Sequence, residues 1–74
     1  FLHQADLHEA NLSNTNFSNA YLGWANFTDA NLSYAILTAA DGGGIDFSNA
    51  NLTGANFTSV YFDINPKYIS NGIF

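Results

Sequence analysis

Two histidines and a glutamate near the amino terminus are the residues best suited to metal chemistry. His3 and His8 are five residues apart, and Glu9 directly follows His8. A zinc site needs three or four ligands that converge on one point. A corner of the chain is expected between the two imidazoles, so these side chains are not expected to converge on one point. The sequence therefore favours solvated surface histidines and predicts no metal site and no cofactor.

Carboxylates are the other side chains that could do chemistry. Pairs of them can serve as general acid and base, and the chain has five aspartates: Asp6, Asp29, Asp41, Asp46 and Asp63. No histidine is placed beside a nucleophile, and an interior filled by side chains leaves no pocket for a substrate. We therefore predict a non-enzymatic protein without catalytic residues. The His3–His8–Glu9 group is the one alternative site.

Composition excludes several classes of function. The net charge is −5, and Lys67 is the sole basic residue, whereas phosphate binding needs several Lys or Arg side chains on one face. Direct nucleic-acid binding is therefore not expected. No apolar run is long enough to cross a bilayer, so membrane insertion is not expected either. Because the sequence opens on Phe1 and contains no Met, we expect a processed product or a piece of a longer protein.

The positions of leucine and phenylalanine reveal an internal repeat of five residues. Twelve of the fourteen Leu and Phe residues lie on one phase from Leu2 to Phe62, which is interrupted only at Gly42. A small residue, mostly Ala, stands two places before most of them, and Asp or Asn commonly stands one place before. Five residues advance an α-helix by about 500°, and an odd step alternates the faces of a strand. Neither element would keep this phase buried.

A chain that turns a corner after every five residues does satisfy the pattern. Each Leu or Phe then points inward from the middle of one side, and each Ala points inward near a corner. Four sides form a square coil of about 20 residues that rises by one strand spacing, about 4.8 Å, per turn. Backbone amides bond between successive turns of this coil.

The five-residue units resemble those of the pentapeptide-repeat family, whose consensus is A-(D/N)-L-x-x. The segments ADLHE, ANLSN, ANFTD, ANLSY, ANLTG and ANFTS match it closely, and the resemblance covers residues 1–63. It implies an all-β fold, namely a right-handed quadrilateral β-helix (a solenoid) of about three coils. It also implies that the Asp or Asn side chain bonds to nearby backbone as part of the turn. Such repeats are abundant in cyanobacteria and plastids, which implies a cytoplasmic or thylakoid-associated protein.

Three consecutive glycines leave two arrangements open. Residues 41–45 could form an ordinary side with Gly42 inward, which leaves a hole that Ile45 would partly fill, or they could bulge outward as a loop. A hole of this size costs about 2–5 kcal/mol by analogy with large-to-small core substitutions. The sequence therefore favours a loop at 41–45. Phe47 would then lie over Leu22 rather than over Phe27.

The ends of the repeat differ from its middle. The chain is divided into a repeat domain at 1–63 and a C-terminal cap or tail at 64–74, with a short helical turn predicted after Asn65 and Pro66. Ile64, Ile69 and Ile73 are expected to close the last coil, which a solenoid requires. The first coil begins without a cap, so residues are missing there or that end meets another domain or subunit.

Outward-facing apolar residues are the candidate partner-binding site. They stand where most repeats carry small polar residues, and apolar groups that cluster on a polar surface indicate a binding face. The alternative is that small proteins always expose some aromatics. In the loop arrangement Ile36 and Tyr61 share a slot on adjacent coils. The candidates are Tyr21, Trp24, Tyr34, Ile36 and Tyr61.

Two functional hypotheses follow. The first is a non-catalytic structural or protein-interaction module in a longer protein or larger assembly, with a protein partner and an oligomeric state that the sequence does not specify. The second, implied by the resemblance, is an acidic mimic of nucleic acid that interacts with a type II topoisomerase. The length of the coil, about 15–18 Å at one strand spacing per turn, argues against this second hypothesis.

Overall fold

The computed structural model describes residues 2–61. Within this range there is no helix and no continuous strand, so it holds no helix able to span a membrane. Each five-residue unit instead contributes one isolated β-bridge followed by a turn. Every bridge is parallel and joins residues 20 positions apart, from Asp6 with Asn26 to Asp41 with Tyr61. The predicted 20-residue period, with four units per turn of the coil, is confirmed.

Backbone hydrogen bonds tie each turn of the coil to the next. We number the turns as residues 2–19, 20–39 and 40–59. In the second turn, Asn26 N–H donates to the carbonyl of Ala5 at 2.8 Å, and Phe27 N–H donates to the carbonyl of Asp46 at 2.9 Å. Adjacent residues thus bond in opposite directions along the coil axis. This alternation pairs backbone groups that burial would otherwise leave unsatisfied.

Corners are made by a repeated β-turn. The first residue of each unit donates its N–H to the carbonyl of the preceding central residue, at 2.9–3.2 Å. The residue before that donor has a positive φ throughout, 59–62° where it is not glycine and 69–70° at Gly44 and Gly54. Type II turns require positive φ at this position, which Asn and Gly adopt most easily. The frequent Asn residues there (Asn14, Asn19, Asn49) fit this requirement.

Asp and Asn side chains brace the same turns. In the nine units of the described range that have Asp or Asn before the central residue, its Oδ1 accepts the N–H two residues further on. In several units the Ser or Thr hydroxyl at that position donates to the same oxygen, as Ser18 does to Asn16 at 2.6 Å. These aspartates and asparagines serve the turn, as the family resemblance implies.

The axis of the coil is filled by the central Leu and Phe residues together with the Ala at each corner. Four rings run through it: Phe27 and Phe47 stack with centroids 5.5 Å apart, and Phe17 and Phe57 meet them edge-on at 6.0 and 5.5 Å. Leu2, Leu7 and Leu12 in the first turn are only partly buried. The buried set is Phe17, Leu22, Ala25, Phe27, Ala30, Leu32, Ala35, Leu37, Ala40, Ile45, Phe47, Leu52, Ala55 and Phe57.

The predicted glycine loop at 41–45 is wrong, because these residues form an ordinary unit. Asp41 bridges Tyr21 on one side and Tyr61 on the other. Trp24 N–H donates to the Gly43 carbonyl at 2.7 Å, and Ile45 N–H closes the turn on the Gly42 carbonyl at 3.2 Å. Phe47 consequently lies over Phe27, as the in-register arrangement requires.

Two features explain why the glycine unit stays in register. Ile45 occupies a corner position that carries Ala in most other units, and it is buried at 2% exposure in the core. We expect its larger side chain to fill part of the volume that the absent side chain of Gly42 leaves free. Gly44 takes the positive φ of 70°, which glycine adopts without the steric cost that other residues pay. The predicted C-terminal cap at 64–74 and its closing isoleucines lie outside the described residues.

Candidate interaction surface

One face of the coil departs from the polar pattern of the others. We define side A as the stacked units 20–24 and 40–44, together with residues 2–4 before them and Tyr61 after them. Its bridge positions hold Tyr21, Asp41 and Tyr61 in order along the axis. The next column along the chain holds Asp6, Asn26 and Asp46, and the one after it holds Asn11, Asn31 and Asn51. Side A is therefore the aromatic face.

All five residues predicted to bind a partner are exposed on the surface. Their exposed fractions are 40% for Tyr21, 61% for Trp24, 60% for Tyr34, 41% for Ile36 and 59% for Tyr61. Burying apolar surface is favourable by about 25 cal/mol for each Å² removed from water. These exposed side chains leave that free energy unused. The surface thus carries apolar area that a partner could cover.

The 20-residue register divides these five residues into two groups. Tyr21, Trp24 and Tyr61 lie on side A, whereas Tyr34 and Ile36 flank one corner of the second turn. Ile36 bridges Asn16 and Asn56, so the prediction that it shares a slot with Tyr61 is wrong. That prediction depended on the loop, which would have shifted Tyr61 by one unit.

Trp24 and Tyr34 each cover a glycine of the following turn. A Cβ atom added to Gly44 would come within 2.4 Å of the Trp24 indole, and one added to Gly54 would come within 2.5 Å of the Tyr34 ring. Each pair stands 20 residues apart in the positive-φ position. The rings therefore pack flat against bare backbone, and one part of each stays fixed while the rest faces solvent.

His3 belongs to side A, which the sequence analysis did not foresee. Its imidazole stacks on the Tyr21 ring with centroids 5.0 Å apart and an angle of 7° between planes. Both rings lie over Gly23, where an added Cβ would meet His3 at 3.2 Å and Tyr21 at 3.5 Å. The stack holds Tyr21 in place, so His3 contributes a positioning contact to side A.

Asp41 is the second residue that sequence reasoning did not place in this surface. Its Oδ1 accepts the N–H of Gly43 at 3.2 Å, whereas its Oδ2 has no hydrogen-bond partner among residues 2–61. Bridges set Tyr21 one turn before it and Tyr61 one turn after it. The signal in the sequence is that Tyr21 lies 20 residues before Asp41 and Tyr61 lies 20 residues after it.

The remaining candidates for chemistry lie apart from side A or are engaged elsewhere. His8 pairs with Glu9 at 3.3 Å between Nε2 and Oε1. In the part of the chain that the structure describes, no three His, Asp or Glu residues are grouped to hold a metal ion. Asp6 and Asp46 brace turns in a polar column, and Asp29 takes a positive-φ position. Asp63 lies outside the described residues.

A model of pentapeptide repeats matches the sequence over residues 5–41 and 38–63, in eight copies. The chain belongs to the pentapeptide-repeat family. No curated protein and no solved structure matches it significantly. Pentapeptide-repeat proteins are generally non-enzymatic structural modules, so the family membership indicates a non-catalytic repeat module.

Gly44 offers a test of the contact beneath Trp24. Replacing Gly44 with Ala in this pentapeptide-repeat protein places a Cβ inside the indole ring at a positive φ. We expect the free energy of unfolding to fall by about 1–3 kcal/mol and the fluorescence of Trp24, the sole tryptophan, to shift. Asn49→Ala is the control because Asn49 is exposed and also has a positive φ. Equal effects of the two substitutions in urea titrations would contradict the packing described.

Proposed function

We propose that this protein is a non-catalytic protein-interaction module, built on the right-handed quadrilateral β-helix that is typical of pentapeptide repeats. The observation that carries the proposal is side A, where Tyr21, Trp24 and Tyr61 replace the polar residues of neighbouring columns. A coil with a filled axis has a stiff surface, so a partner that binds it loses little entropy in ordering the module.

Aromatic residues are suited to this role. Tyr and Trp bury a large area through few rotatable bonds, and they are enriched among the residues that dominate binding energy at protein interfaces. Two of the three on side A are also fixed at one end, Tyr21 by His3 and Trp24 by the backbone of Gly44. Preorganised rings of this kind are the anchors that we expect a partner to contact.

Affinity capture with a matched pair of variants tests the proposal. The first variant replaces Tyr21, Trp24 and Tyr61 with Ser, and the second replaces Ser13, Ser33 and Thr53 of a polar column with Ala. Tyr21 and Trp24 are partly buried against His3 and Gly44, so the urea midpoint should fall, whereas the circular dichroism spectrum should remain that of the wild-type fold. We expect a partner that the wild type and the polar variant retain and that the aromatic variant loses at least tenfold, by calorimetry with the purified partner.

A partner whose affinity is the same for both variants would contradict the proposal, and so would the lack of any partner that discriminates between them. Tyr34 and Ile36 provide a second comparison, since they form an exposed pair away from side A. Replacing both with Ser is expected to change the affinity less than the side A variant does.

A further inference from the structure

We propose that side A binds an arginine side chain of a basic, extended protein segment, with Asp41 as the ion-pair partner. The inference rests on the proposed function and specifies the chemistry of the partner. Its basis is a column of Tyr21, Asp41 and Tyr61 that places one carboxylate between two exposed aromatic side chains.

The carboxylate of Asp41 is held in position with one oxygen still open. The N–H of Gly43 bonds to Oδ1 at 3.2 Å, so the carboxylate is oriented by the chain's own turn. Among the described residues Oδ2 makes no hydrogen bond. A guanidinium group can donate to such an oxygen, and a charge-assisted bond of this type is about twice as strong as a neutral one.

The two tyrosines favour a planar cation at this point. Each is one turn of the coil from Asp41, at a backbone spacing of about 4.8 Å. Cation–π attraction acts over about 6 Å from a ring centroid, so a guanidinium bound at Asp41 is expected to reach the ring of a neighbouring tyrosine. A guanidinium both stacks on aromatic rings and forms hydrogen bonds in its plane, whereas an ammonium group is more strongly hydrated. Arginine is thus favoured over lysine.

The indole of Trp24 lies near the same column. It covers Gly44, which follows Asp41 by three residues, and it is 61% exposed. An extended segment whose arginine reaches Asp41 can therefore also contact this indole.

Charge complementarity points to a basic occupant. All the acidic residues except Asp63 lie in residues 2–61, and that range contains no Lys or Arg. Asp41 therefore has no Lys or Arg of its own among the described residues to compete with a partner's cation. An acidic partner would meet like charge at Asp41 and in the neighbouring column of Asp6 and Asp46, which costs affinity.

Asp46 is a comparison carboxylate whose described neighbour along the axis is not aromatic. It occupies the same position in the next unit, and its Oδ1 accepts the N–H of Ser48 at 2.9 Å. Its bridge partner one turn earlier is Asn26 rather than an aromatic residue. Asp41→Asn and Asp46→Asn change the net charge equally, and Asn is a common residue at this position, so both variants should fold.

The test is an NMR titration with acetyl-Gly-Gly-Arg-Gly-Gly-amide, followed through backbone amides and the indole N–H. We expect saturable shifts at Asp41, Gly43 and Trp24, and none with a peptide that carries neutral citrulline in place of arginine. Asp41→Asn should weaken binding at least about tenfold, as expected for loss of a hydrogen bond to a charged group. Asp46→Asn should change the affinity less than twofold, and Tyr61→Ser should weaken binding about two- to fivefold.

Three results would overturn this inference: no saturable shift with the arginine peptide, equal loss in Asp41→Asn and Asp46→Asn, or equal binding of the citrulline peptide. If both Asp→Asn variants lose affinity equally, the peptide is attracted by the negative charge of the protein in general and not by a site at Asp41. The titration requires no protein partner, so its failure leaves the capture experiment unaffected. The capture experiment can also separate the two proposals. If a partner fails to bind the side A aromatic variant but still binds the Asp41→Asn variant, the arginine site is refuted and the proposed function stands.

Discussion

Replacing Phe27 with Ala is expected to lower the free energy of unfolding by about 3–5 kcal/mol. Phe27 is fully buried, it stacks on Phe47, and it meets Phe17 edge-on. The substitution removes one ring from the middle of a continuous row of four, and the hydrogen-bonded turns around it limit collapse of the cavity. A chain of this size has a total stability of only about 4–11 kcal/mol, so much of the population should unfold.

Urea denaturation monitored by circular dichroism measures this loss, and Phe27→Leu is the control. Leu is the other residue that the repeat uses in the central position, so we expect the control to cost less than about 1.5 kcal/mol. Leu12→Ala in the first turn should also cost less than Leu32→Ala in the same column, because Leu12 is only partly buried. Similar small losses for Phe27→Ala and Phe27→Leu would show that the ring is not in the core.

Gly42 and Ile45 are expected to be strongly coupled. Ile45→Ala alone leaves a void beside Gly42 and should cost about 2–4 kcal/mol. Gly42→Leu alone adds a side chain to a space that Ile45 already fills and should cost about 1–3 kcal/mol. The double variant restores the Ala and Leu of an ordinary unit, so its stability should return to within about 1 kcal/mol of the wild type.

The coupling free energy from this double-mutant cycle is the quantity to measure, again by urea denaturation. We expect the two substitutions to compensate each other by at least about 2 kcal/mol. Additive effects would mean that the two residues do not share a space. A near-zero effect of Ile45→Ala would place Ile45 at the surface, as in the loop arrangement that the structure contradicts.

The period and the core could be predicted from the sequence because they rest on strict spacing. A buried residue every five positions determines the repeating unit, and the four-unit turn follows from the need to close a coil at one strand spacing. The bridges at 20-residue intervals and the buried Leu and Phe positions agree with this. Phe62 belongs to the same phase but lies outside the described residues.

The glycine unit could not be resolved from the sequence because two energies of similar size oppose each other. The cost of an empty central position at Gly42 follows from the spacing, whereas compensation by Ile45 depends on how its side chain packs across the corner. The register also favours the ordinary unit, since Asp41 and Gly42 exchange hydrogen bonds with the turns on both sides. A loop at this point would forfeit those bonds.

The candidate surface was predicted in part. The exposure of Tyr21, Trp24 and Tyr61 follows from their outward positions in the repeat. The contributions of His3 and Asp41 did not follow, because a neighbour across turns is known only when the register is known. With the loop assumed, Asp41 would have been excluded from the coil, and the column in which two tyrosines flank it would not have existed.

The central claim is that the coil continues through the glycine unit with an unbroken 20-residue register. It is tested most directly by through-hydrogen-bond scalar couplings in uniformly labelled protein. The N–H of Phe27 donates to the carbonyl oxygen of Asp46 at 2.9 Å. We therefore predict a coupling between the amide nitrogen of Phe27 and the carbonyl carbon of Asp46. A coupling from the amide nitrogen of Leu22 to the carbonyl carbon of Asp46 would instead show that residues 41–45 bulge outward, and it would contradict this account.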